Sequence, residues 1–170
     1  LQFRKNALYI INVEVVEEPK VEAVYQGMGV HGPWAVTETA FGAAWVNDNG
    51  AYAYNVEEKK ARSLTLGRLN AEDFCSNSNT KIGYDDKSKM LIIGNYSLRA
   101  TDGYHYAYNF ATDAWCTWNI NANSFTPKSN FAINHDGDLT GIMDDGVDIT
   151  LYKWSTEATS AVAVDYITKD

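Results

Sequence analysis

The sequence predicts an all-β fold, and three observations carry that reading. First, one phrase recurs: a turn, then a short aromatic strand, with Asn closing three of the copies. Asn47-Asp48-Asn49-Gly50 leads into Ala51-Tyr52-Ala53-Tyr54-Asn55, and Thr101-Asp102-Gly103 leads into Tyr104-His105-Tyr106-Ala107-Tyr108-Asn109. Asp144-Asp145-Gly146 leads into Val147 to Tyr152, and a degenerate copy, Lys5-Asn6 into Ala7 to Asn12, opens the chain. Second, 11 Tyr and 5 Trp are more than a helical bundle uses, and aromatics favour strands. Third, no segment has the period of a convincing amphipathic helix. Closing asparagines at 12, 55 and 109 set the repeat at about 43 to 54 residues. A period in that range with several strands per unit marks a β-propeller, here a partial one of three to four antiparallel four-stranded meanders. The units run approximately 1–33, 34–73, 74–130 and 131–170.

Leu8 to Ile11 is a strand, Glu17-Glu18-Pro19 a turn, and Val21 to Tyr25 alternates apolar and polar as a half-buried strand does. Gly27 to Pro33 is a glycine-rich crossing, and Trp34 to Glu38 reads as the innermost strand of the next unit. Gly42–Val46 and Ala51–Tyr54 form a hairpin across Asn47-Asp48-Asn49-Gly50, where Asn-Gly predicts a type I′ turn with φ > 0 at both central residues. Ala61 to Leu66 is the fourth strand. Thr80 to Tyr84 starts the third unit, Asp85 to Ser88 is a turn, and Lys89 to Gly94 follows. Asn95 to Thr101 reads as a hairpin loop, then come Tyr104 to Tyr108 and Ala114 to Trp118. Phe131 to Asn134, Leu139 to Met143, Ile149 to Trp154 and Ala161 to Ile167 make the last meander, so 131–167 should be one sheet. Tyr52 with Tyr54, and Tyr106 with Tyr108, each project to one strand face, since side chains alternate.

At 170 residues with 45% hydrophobic content the chain is long enough for a sizeable core and too apolar for disorder. Its longest apolar run, Met90 to Ile93, has the length of a strand and not of a membrane span. A net charge of −8 and the absence of a Lys/Arg cluster argue against a DNA-reading surface. Lys59-Lys60-Ala61-Arg62 follows Glu57-Glu58 and reads as a solvated hairpin end. Cys75 and Cys116 are too few for a disulfide scaffold and read as two buried thiols. Three full units and fragments do not close a ring comfortably, so the chain reads as an excerpt of a longer protein.

No catalytic constellation is present. The best metal candidates are the acidic turns Asp136, Asp138, Asp144, Asp145 and Asp148. Their spacing does not match an EF-hand, and Asp is also an ordinary turn residue. His31, His105 and His135 lack metal-ligand spacing. No nucleophile elbow appears. The sequence therefore predicts no catalytic, metal or cofactor site. Trp34, Trp115, Trp118 and Trp154 are the pool for stacking on sugar rings, with packing between sheets as the plainer role. A propeller enzyme such as a glycosidase would need paired carboxylates facing a channel.

Ala23 to Val36, with its Gly27-Met28-Gly29-Val30-His31-Gly32-Pro33-Trp34 crossing, resembles the blade handover of tail nozzle ("stabilisation") proteins of short-tailed bacteriophages. Gly42 to Asn55 is similar to the family's strand, Asn/Asp-Gly turn and x-Tyr-x-Tyr/Phe-Asn/Asp strand. Val164 to Asp170 is similar to its exit strand. The resemblance covers nearly all of the chain, although the repeat lengths here are irregular. It implies a structural virion protein of the tail, acting as a homo-oligomer, a hexamer, with adaptor and fibre proteins as neighbours. Genomic double-stranded DNA would pass non-specifically, without a cofactor, an enzymatic step or a membrane-spanning segment. The competing expectation is a carbohydrate- or receptor-binding propeller.

Overall fold

A computed structural model of the chain describes residues 1–14, 18–69, 80–94, 104–119, 126–127, 130–144, 149–154 and 164–167. Among them there is no α-helix, and the strands form four antiparallel sheets. The first sheet holds β1 (Gln2–Phe3), β2 (Ala7–Asn12) and β3 (Lys20–Gln26), in that order. The second holds β4 (Val36–Thr39), β5 (Gly42–Asn47), β6 (Gly50–Asn55) and β7 (Lys60–Ser63). The third holds β8 (Lys81–Asp85), β9 (Met90–Gly94), β10 (Tyr104–Asn109) and β11 (Ala114–Asn119). In the fourth, β14 (Leu139–Asp144) pairs with β15 (Ile149–Lys153) on one side and with β12 (Thr126–Pro127) and β13 (Ala132–Ile133) on the other.

Several expectations are corrected. Residues 131–167 are not one meander: β16 (Val164–Ile167) pairs antiparallel with β11, with Trp115 opposite Ile167, and becomes the fifth strand of the third sheet. An outer edge with unpaired N–H and C=O groups is a template for pairing, and β16 covers it. The innermost strand of the second sheet starts later than the sequence suggests, because Pro33-Trp34-Ala35 forms a 3₁₀ turn with Pro at its start. The fourth strand ends at Ser63, not at Leu66. The Asn47–Gly50 hairpin is not type I′, since neither Asp48 nor Asn49 has positive φ. The Asn47 side chain closes this turn by accepting from the Asn49 N–H at 2.8 Å, and the positive φ of 142° falls on Gly50. Asn95 to Thr101 lies outside the described residues, as do Cys75, Asp145 and Asp148.

The asparagines that close the repeated phrase have a shared job. Asn55 Oδ1 accepts from the N–H groups of Glu57 and Glu58, and Asn109 Oδ1 from those of Ala111 and Thr112. Asn12 Oδ1 does the same for Glu14. Each is an Asx cap that satisfies turn donors and bends the chain out of the strand. After Asn55 and Asn109, Lys59 and Asp113 take the left-handed conformation, with φ of 53° and 55°, just before the next strand begins, as Lys89 does at 58° in the turn that Asp85 caps.

The four sheets pack face to face in chain order, and strand alternation decides which residue meets which sheet. On the second sheet, Trp45 and Tyr52 are cross-strand partners and join Leu8 of the first sheet in one buried cluster. Their neighbours Ala44, Val46, Ala51 and Ala53 point the other way. They share a second cluster with Ile82, Leu91, Ile93, Tyr106, Tyr108 and Trp115 of the third sheet. Ile92, Ala107 and Cys116 point onward again, to Leu139, Phe131 and Trp154 of the fourth. Both faces of β9 are covered, which is why Leu91-Ile92-Ile93 is a continuous apolar run. The tyrosine pairs thus face the preceding sheet in both copies. Tyr108 is fully buried, whereas Tyr54 is half-buried.

Two predictions follow from this packing. Tyr108→Ala should lower unfolding free energy by about 3–5 kcal/mol in urea titration, and Tyr54→Ala by only about 1 kcal/mol. Equal costs would contradict the assigned faces. Gly50→Val should cost at least about 2 kcal/mol. A side chain there sits at an unfavourable positive φ, and its Cβ would lie 2.2 Å from Thr65 Oγ1.

Candidate functional site: a cleft between sheets and the polar latches beside it

Between the first and second sheets lies a cleft of about 990 Å³, floored by Val36, Glu38, Ala43 and Tyr54 of the second sheet. Phe3 and the crossing residues Val30 and Pro33 wall it, and Arg4, Lys5 and His31 stand at its rim. A smaller depression of about 520 Å³, between the second and third sheets, shares Gly42, Tyr54 and Val56 with it. Phe41 and Phe110 stack at its edge with ring centroids 5.0 Å apart. Phe41 sits in the β4–β5 turn, Val56 in the β6–β7 turn and Phe110 in the β10–β11 turn. One end of the stack therefore carries exposed Phe41 and Val56 beside the half-buried Phe110.

Polar latches join each sheet to the next. From the second sheet to the first, Trp45 Nε1 donates to Met28 O at 2.9 Å. Asn47 Nδ2 donates to Gly27 O and Gly29 O, both at 2.8 Å. His31 Nε2 lies 2.8 Å from Asp48 Oδ2. From the third sheet to the second, Trp115 Nε1 donates to Leu64 O at 2.9 Å. Asp113, in the β10–β11 turn, accepts from Arg68 and from the Tyr108 hydroxyl, and Arg62 lies 3.6 Å away. Arg68 above all holds the Asp113 carboxyl well below the usual range. Burial, then the bond to Asp113, pushes the Tyr108 hydroxyl up. Burial likewise pushes Tyr84 up to about 12. Between the third and fourth sheets, Asp138 pairs with Lys87, and within the fourth sheet it also takes Lys153 Nζ at 2.6 Å. Lys153 and then Lys87 hold its carboxyl at about 2.

The residues singled out from sequence fall into these latches, or into the core, and not into one site. Asp138 is a buried ion-pair acceptor, and Asp136 is paired with His135 at 3.2 Å. Among the described residues, no group of three His, Cys, Asp or Glu gathers as a metal site. His31 stands at the cleft rim, and His105 occupies β10 opposite Trp118 in the pairing register. Trp34 packs partly buried under the Lys81 ammonium, Trp115 is buried, and Trp154 packs on the third–fourth sheet cluster. Cys116 is buried in that same interface. Sequence reasoning missed Arg62, Arg68 and Asp113, which are brought together only by sheet packing. It also missed Trp45, although the crossing that accepts its N–H was visible as a glycine-rich stretch. Among the described residues no helix is long and apolar enough to cross a membrane. No protein-family model, curated protein or solved structure matches the chain.

The latches set a pH window. Carboxylates whose folded pKa is depressed stabilise the fold fully above their ordinary value near 4. That contribution is lost as pH falls towards about 2, where folded Asp138 titrates. Tyrosines whose folded pKa is raised contribute fully below about 10 and lose that contribution as pH rises further, towards about 12 for Tyr84. The urea midpoint should therefore be level between about pH 5 and pH 9 and fall on both sides. Asp138→Asn should reduce the midpoint at pH 7 and shrink the acid-side loss. An unchanged acid limb in that variant would contradict the role given to Asp138.

Proposed function

We propose that the four sheets are consecutive blades of a β-propeller in a tail nozzle protein of a short-tailed bacteriophage, where the protein acts as a structural conduit. The observation that carries the reading is the face-to-face packing of successive antiparallel sheets in chain order, each latched to the one before. The placement of the strands supports it. The first strand of the second sheet borders the first strand of the third, as the inner strands of neighbouring blades do. The resemblance of residues 23–36 to the family's blade handover, and of residues 42–55 to its strand, turn and strand, supports the assignment to a nozzle. Net charge −8 fits a wall that DNA slides past, since it repels the phosphate backbone. In this role the protein works as a homo-oligomer, a hexamer, in the virion tail among adaptor and fibre proteins. It performs no catalysis and needs no cofactor.

The test is genetic. Particles carrying Gly50→Val should package DNA but leak it, or fail to eject it, as measured by nuclease-accessible DNA and by DNA release after receptor exposure. Particles that keep and deliver their genomes yet fail to adsorb to cells would replace this reading with a receptor- or carbohydrate-binding propeller. The cleft beside Tyr54 would then be the place to look for the ligand.

A further inference from the structure

The turn between β5 and β6 carries a reactive pair that the fold itself requires. Asn49 precedes Gly50, and among the chain's asparagines Asn49 alone precedes a glycine. A side chain on the following residue shields the main-chain nitrogen from the carboxamide. The turn caps Asn12, Asn55 and Asn109, followed by Val13, Val56 and Phe110, are hindered in that way. Glycine is compulsory at position 50, because its φ is 142° and a Cβ would lie 2.2 Å from Thr65 Oγ1. Asn49 is exposed, so water reaches its carboxamide. That carboxamide is held by a surface hydrogen bond from Nδ2 to Gly27 O at 3.0 Å. Such a bond contributes little net stability, so the group leaves it readily. Asn47 differs on every count: it is buried, donates to both Gly27 O and Gly29 O, and precedes Asp48.

We infer that Asn49-Gly50 is a self-modification site whose conversion loosens the latch between the first and second sheets. The Gly50 nitrogen gives up its proton to water and attacks Asn49 Cγ. A carbon–nitrogen bond forms, and the bond from Cγ to Nδ2 breaks, releasing ammonia and leaving a five-membered succinimide. Water then reopens the ring. Cleavage at Cγ yields aspartate, and cleavage at the main-chain carbonyl carbon yields isoaspartate. Nothing is oxidised or reduced. Aspartate replaces the donor that met Gly27 O with a carboxylate, which repels that carbonyl and stands beside Asp48. Isoaspartate also adds one carbon to the main chain of a tight turn, in which the Asn49 N–H is fixed on Asn47 Oδ1 at 2.8 Å. The lengthened turn draws Asn47 off the carbonyls of Gly27 and Gly29. The inference goes beyond the conduit role and does not depend on it.

The wild-type protein, aged in neutral buffer and mapped by mass spectrometry, should gain one mass unit at Asn49 at least about tenfold faster than at any other asparagine. Electron-transfer fragmentation should find both aspartate and isoaspartate there. In the aged protein, hydrogen exchange should quicken at the Gly27 and Val30 amides, which donate to Asn6 O and Arg4 O and so report the hold on the crossing. Asn49→Gln, whose cyclisation needs a six-membered ring, should stay unmodified and keep the exchange rates of fresh protein. A mass gain at Asn49 no faster than elsewhere overturns the proposal, and so does one seen only in urea. Conversion that leaves Gly27 and Val30 exchange unchanged overturns the loosening. Equal loss of protection in aged Asn49→Gln traces the loosening to another cause and overturns it too.

Discussion

The structure depends on one central contact: tyrosines and a tryptophan of the third sheet seated on the alanine face of the second. Ala-Tyr-Ala-Tyr in β6 sends tyrosine one way and alanine the other. The alanines Ala51 and Ala53 then share a buried cluster with Tyr106, Tyr108 and Trp115 of the next sheet. Large side chains on one face and small ones on the opposing face let two sheets approach at native packing density. β10 carries the same alternation as β6. Ala107, between Tyr106 and Tyr108, faces onward to the fourth sheet in its turn. Gly83 extends the rule to its limit: a Cβ there would lie 2.4 Å from Phe131 Cβ.

Such a stack buries polar edges as well as apolar faces, and each interface answers with hydrogen bonds. Indole N–H groups donate to carbonyls of the preceding sheet's exit loop at Trp45 and Trp115. Carboxylates in hairpin turns reach cations on the neighbouring sheet, Asp113 to Arg68 and Asp138 to Lys87. A buried N–H or charge without a partner costs more than the bond itself contributes. These contacts therefore fix the register of one sheet on the next more than they add net stability. The latch at Asp113 includes Tyr108, so the residue that fills the apolar interface also joins its polar edge.

Much of the fold was legible because its signals are local. Turn residues, period-two alternation and the Asx caps at Asn55 and Asn109 are set by neighbours within a few residues. The sheet boundaries follow from them. What sequence left hidden was long-range. Nothing near Val164 tells that it pairs with β11 in place of β15, because an open edge accepts any strand of suitable register. The turn at Asn47 was misread for a local reason: Asn47 itself caps the turn and draws its Nδ2 to Gly27 and Gly29, so positive φ is not needed at Asp48 or Asn49. The cleft was invisible for a third reason. Val36, Ala43 and Tyr54 look like ordinary core residues in sequence, and only the packing of the first sheet on the second shows that they line a cleft.

If the tyrosine-on-alanine contact is what unites the stack, the second and third sheets open together. Native-state hydrogen exchange with residue-level mass spectrometry reads this directly, because amides in β5, β6, β9 and β10 report the free energy at which each strand opens. The account predicts one common opening free energy for all four strands, and in Tyr108→Ala a fall of similar size in both sheets. Opening free energies that differ by more than about 2 kcal/mol between the sheets, or a fall confined to the third sheet, would contradict it.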